Sequence, residues 1–123
     1  MAVSINVLTR YYIKTMKQRT DPLPESDASA SFKALVKALV ALDRQQDVAA
    51  FLEDLCTPAE LEAMVDRWRV VPLLLAGMPY REIHDVSQVS VTTIGRVART
   101  LERGAGGYAA AARRMYPTLA AKH

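Results

Sequence analysis

The chain has 123 residues, half of them hydrophobic, and a net charge of +3. That length suits one domain with a modest core, and no apolar run reaches the ~20 residues a membrane span needs. The single cysteine, Cys56, excludes an internal disulfide, and the two histidines, His84 and His123, stand in no zinc-ligand spacing. No secretory signal pattern opens the chain. A cytoplasmic protein with no metal site and no membrane contact is expected.

Residues 1–19, MAVSINVLTRYYIKTMKQR, fit two patterns. Ile5, Leu8, Tyr12 and Met16 make a helical face, while Val3, Ile5 and Val7 alternate as in a strand. A basic arm on DNA, an arm exchanged with a second subunit, and an extension from a misplaced start codon all remain open. Residues 20–31, TDPLPESDASAS, have linker composition. The expected division is therefore an extension and linker over 1–31 and a folded domain over 32–123.

Residues 32–42 carry Phe32, Leu35, Val36, Leu39, Val40 and Leu42, an amphipathic helix with a wide apolar face. Residues 47–55 add a second helix with Val48, Phe51, Leu52 and Leu55. This is more apolar surface than a small bundle needs, which points to a homodimer interface. A monomeric core closed by the N-terminal arm is the other reading. Thr57-Pro58-Ala59-Glu60 predicts a capping box with proline at the first helical position. That helix continues through Leu61, Met64, Trp68, Val71 and Leu75 to Gly77, with a kink expected at Pro72.

Residues 80–86 predict a short helix with Ile83 and Val86 inward, and Ser87-Gln88-Val89 a turn. Ser90 caps a second helix over 91–103, whose Val91, Ile94, Val97, Ala98 and Leu101 share one face. Its other face carries Thr92, Thr93, Arg96, Arg99 and Arg103, and Gly104 is expected to end it as the C′ residue. This is the plan of a helix-turn-helix. Two features depart from it: Gln88 stands where the turn favours glycine, and Gly95 lies mid-helix at a cost of about 1 kcal/mol. Residues 105–107 read as a break, and residues 108–115 as a last helix stopped by Pro117.

Short hydroxyls at the start of the second helix let its backbone approach base edges. Thr92 and Thr93 can donate, accept, or offer a methyl to thymine. Arg81, Arg96 and Arg99 can bind phosphate or read guanine. Charge is unevenly spread: residues 21–66 carry three basic and ten acidic side chains, a local −7, and residues 67–123 nine and three, a local +6. A basic half that holds the helix-turn-helix suits one face on nucleic acid. A plain helical hairpin on a solvated bundle would use the same apolar spacing. No Ser/His/Asp or Cys/His set and no phosphate-cradling glycine loop is present, so no catalytic residue and no enzyme activity are expected.

Glu53-Asp54-Leu55-Cys56-Thr57, Glu60-Leu61, Met64, Arg67-Trp68 and Val70 open a longer pattern. Gly77, Tyr80, Glu82-Ile83, Thr93-Ile94, Arg96-Val97 and Gly107-Tyr108 complete it. The combined pattern resembles the Trp-repressor superfamily, most nearly its YerC/YecD-type branch. The resemblance implies an all-α fold of about six helices, with a helix-turn-helix in an intertwined homodimer. It implies double-stranded DNA as partner and a sequence-specific transcriptional regulator, a repressor, as function. Arg81, His84, Ser90, Thr92, Thr93 and Arg99 are then the candidate DNA-binding residues, with His84 meeting a phosphate or standing exposed. Thr57, Arg67, Arg96, Val97 and Thr100 fall at positions of the effector pocket of the tryptophan-responsive members, Thr100 in place of a serine. Val97 replaces a glycine there, and the added bulk costs ~1–3 kcal/mol. No cofactor is implied; a small-molecule effector stays open, L-tryptophan is not expected to be it, and Arg67 and Arg96 could equally bind phosphates or nearby helix carboxylates such as Glu60. The alternative function is a protein-interaction module that uses the helix-turn-helix as scaffold without reading DNA.

Overall fold

The computed structural model describes residues 24–121, and every regular element among them is helical. The readings of residues 1–19 fall outside the described part. Two units are separable, Met1–Arg44 and Gln45–His123.

In the first unit, α1 spans Glu25–Ala41. It begins well before residue 32, so the expected linker is helical over its last seven residues, 25–31. The physical reason lies in residues that read as linker composition but also start helices. Glu25 and Asp27 occupy the first turn, where carboxylates favour the helix dipole, and Ala28 and Ala30 have high helix propensity. The helix has no buried residue. Phe32 is 67% exposed and Val40 78%, while Leu35 and Leu39 are half-buried.

The second unit holds α2 (Gln45–Leu55), α3 (Pro58–Leu75), α4 (Tyr80–Ser87), α5 (Val91–Arg103), α6 (Gly107–Met115) and α7 (Pro117–Ala120). With α1 this makes seven helices among the described residues, against about six expected. The start of α3 has both bonds of a capping box. The Thr57 hydroxyl accepts from the Glu60 N–H at 3.2 Å, and the Thr57 N–H donates to Glu60 Oε1 at 2.7 Å. The Thr57 backbone N–H first, and then the Thr57 hydroxyl, hold the Glu60 carboxyl below its ordinary value of 4.5.

The end of α3 is equally well defined. The Gly77 N–H donates to the Leu74 carbonyl at 3.0 Å and the Met78 N–H to the Leu73 carbonyl at 3.1 Å. That is the Schellman pattern, and Gly77 supplies its left-handed residue with φ +80°. Pro72 sits in the last turn, and α3 runs through it as one helix.

α3 is the axis of the core. Val70, Val71 and Leu75 from α3 meet Ile83 from α4, Val89 from the turn, Ile94 and Val97 from α5, and Ala112 from α6. Burying an aliphatic side chain of this size stabilises by roughly 1.5–3 kcal/mol. Two expected core residues are not in it: Val86 is 61% exposed and Val91 51%. α4 has only eight residues and turns Ile83 and Ser87 inward, one helical turn apart. Val89, in the turn, is buried in the core instead. Val91 is the first residue of α5 and projects past the core. At the other end, Tyr116 breaks the chain between α6 and α7, and Pro117 opens α7 rather than ending the helical region. The Tyr116 ring lies 6.0 Å from that of Trp68, tilted 30°, and so fastens this end onto α3.

Candidate nucleic-acid interface

The turn between α4 and α5 is held by a compact set of polar bonds. Gln88 adopts the left-handed conformation, φ 63° and ψ 13°, in the position where glycine is usual. A side chain there costs about 1–2 kcal/mol. Gln88 offsets this by two bonds to the end of α4: its N–H donates to the His84 carbonyl at 2.8 Å, and its Nε2 to the Asp85 carbonyl at 3.0 Å. Buried Ser87 donates its hydroxyl to the Ile83 carbonyl and accepts from the Val89 N–H at 3.1 Å. Arg69, from α3, donates to the Ser87 carbonyl at 3.1 Å. The carbonyls that a helix end leaves unpaired are thus largely satisfied within the motif.

His84 takes a role that neither sequence reading assigned. It is half-buried, and its Nδ1–H donates to the Val89 carbonyl at 2.8 Å. The ring staples α4 to the turn, which leaves Nε2 as its remaining polar atom. Ser87, Gln88 and Arg69 were missed as contributors to the motif. Ser87 and Gln88 lay in the expected turn and carried a signal only as polar residues there. Arg69 is eighteen residues from Ser87, so nothing local marks the pair.

α5 begins as the sequence implies. Ser90 Oγ accepts from the Thr93 N–H at 3.1 Å and donates to Thr93 Oγ1 at 3.0 Å. Ser90 is therefore a cap first, and Thr93 is half-buried with its hydroxyl partly engaged. Thr92 is exposed and makes no such bond. Arg96, Arg99 and Arg103 are exposed along the same helix, and with Thr100 and Gly104 they wall a shallow hollow of about 240 Å³. Arg81 is exposed on α4. Gly104 caps α5 in extended backbone, φ −80° and ψ −162°, not in the left-handed region expected of a C′ glycine. Its absent Cβ has a different cause: one built there would lie 2.5 Å from the Thr100 carbonyl oxygen.

The residues matched to an effector pocket are spread over several settings. Thr57 belongs to the capping box. Val97 is fully packed in the core. Arg67 is half-buried on α3. Arg96 and Thr100 share the hollow on α5, where the Thr100 hydroxyl donates to the Arg96 carbonyl at 3.0 Å.

A capped helix with a polar, basic outer face, braced through a tight turn on a second helix, defines a helix-turn-helix protein. The Trp repressor protein family matches residues 30–116. The chain belongs to that family. It is 31% identical over 84 residues to the uncharacterized protein YerC of Bacillus subtilis, covering 68% of this chain and 81% of YerC. It is 34% identical over 73 residues to a Trp operon repressor homolog of Xylella fastidiosa, covering 58% of this chain and 79% of that protein. No solved structure matches at comparable stringency. No helix among the described residues is long and apolar enough to cross a membrane.

Proposed function

We propose that this protein is a sequence-specific DNA-binding regulator that acts as a homodimer and represses transcription. One observation carries the reading: the outer face of α5 presents Thr92, Arg96, Arg99 and Arg103 to solvent, on a helix whose inner face is locked to the core by Ile94 and Val97. A rigid helix with hydroxyls at its start and guanidinium groups along it suits a major groove bordered by phosphates. Arg81, at the start of α4, would reach the adjacent backbone. Ser90 and His84 contribute by shaping the motif.

Exposed apolar side chains support the dimer. α1 and α2 bury no residue of their own, yet α1 exposes the apolar Phe32, Val36 and Val40. Such a surface is stable in water when a second copy covers it. Two copies would set their recognition helices about 34 Å apart, one turn of duplex. Selection of bound sequences from random duplex DNA tests the proposal. An enriched inverted repeat is the expected result, and absence of enrichment at low salt would favour a protein-interaction module.

A further inference from the structure

Gly95 is buried in the middle of α5, where glycine weakens a helix and where no positive φ calls for it. Two side chains come close to the place of its missing Cβ. A Cβ at this position would lie 3.3 Å from Nη1 of Arg99 and 3.9 Å from Cε2 of Tyr80. Side chains on a helix lean toward its N-terminus, so residue 99 covers position 95 one turn back. The Arg99 guanidinium therefore lies along α5, over Gly95 and beside the ring that opens α4. Among the described residues the ion pair present is Arg69 with Asp66, so no carboxylate holds the Arg99 fork.

We infer that Gly95 is a specificity-determining position: it seats Arg99 so that this arginine reads a guanine in the major groove. The inference rests on the DNA-binding reading above. A phosphate contact needs only a charge within reach and tolerates many orientations. A base edge needs a planar fork held in one orientation, to bond guanine O6 and N7 together. The seat serves that need, because it places the guanidinium along α5 before DNA arrives, and a fork already placed loses less entropy on binding. It also lies over the first half of α5, the half that contacts base edges in this motif. Arg103, a turn further on, lies beyond that half and serves the phosphates.

The test is selection from random duplex DNA with the full chain as wild type, Gly95→Ala and Arg99→Ala. Wild type should enrich an inverted repeat with a guanine in each half-site, discriminated about 5- to 150-fold against other bases at that position. Both variants should lose that one preference and keep the rest of the repeat. A guanine preference that survives in either variant overturns the inference and leaves the DNA-binding reading standing. No enrichment by the wild type removes both. The seat is also checked without substitution: an NMR cross-peak between Gly95 Hα and the Arg99 side chain is expected in the free protein, and its absence overturns the inference.

Discussion

Arg69 Nη2 donates to the Ser87 carbonyl at 3.1 Å, so the long helix grips the last residue of α4 just before the turn. The bond spans the join on which the pose of α5 depends. Arg69→Met keeps the aliphatic stem and removes the donor. It should lower stability by about 1 kcal/mol, seen as a lower urea midpoint at unchanged slope. Asp66→Ala should have little effect, because its pairing with Arg69 at 3.7 Å is solvent-exposed. Equal losses from the two changes would place the stabilisation in the ion pair instead.

The capping box of α3 makes a prediction in acid. Glu60 has its folded value lowered by the Thr57 N–H and hydroxyl. The unfolded chain therefore takes up the proton first as pH falls. The contribution of the carboxylate is complete above about 4.5 and is lost as pH drops through the lower folded value. Glu60→Gln should flatten the fall in urea midpoint over that window. Thr57→Ala should cost about 1 kcal/mol at neutral pH.

On α5, hydroxyl roles should separate. Ser90→Ala removes a cap and should cost about 1 kcal/mol of stability. Thr92→Ala should leave stability nearly unchanged and alter the selected DNA sequence. Arg103→Ala should weaken binding to all duplexes alike and reduce the salt slope by about 0.9 for each phosphate it no longer neutralises. Melting curves and titrations at several salt concentrations distinguish the three.

The dimer should be obligate. Leu39 and Phe51 are half-buried on helices that have no fully buried residue. If a second copy completes their surroundings, Leu39→Asp or Phe51→Asp should unfold the chain. Wild-type melting should rise with protein concentration. Sedimentation and circular dichroism check this, and a soluble, fully helical monomer from either variant would refute it.

L-tryptophan should not control the protein. Val97, on α5, is fully buried in the core with Val70 and Val71 of α3, and its bulk stands where the pattern of the tryptophan-responsive members has a glycine. Calorimetry with tryptophan, alone and with selected DNA, should show no micromolar binding. Binding that tightens DNA affinity tenfold or more would falsify this.

What the sequence determined by itself is the local chemistry. Thr57 with Glu60, Ser90 before α5, and Gly77 after α3 mark helix ends through bonds within four or five residues, so they were legible along the chain. The bounds of α5 followed from its apolar spacing for the same reason. What only the tertiary structure decided is which apolar residues the core accepts and what holds the turn. Val86 and Val91 fit the periodicity but face solvent, while Val89 and Ile94 are buried, because burial depends on which neighbours the fold brings near. Gln88 could stand in a glycine position because its own amide reaches the Asp85 carbonyl. Gly95, a cost when read along one helix, has a use once Tyr80 and Arg99 close over it. His84 and Arg69 act through carbonyls of the backbone. A carbonyl is the same on every residue, so the pattern of side chains along the chain carries no sign of such a bond.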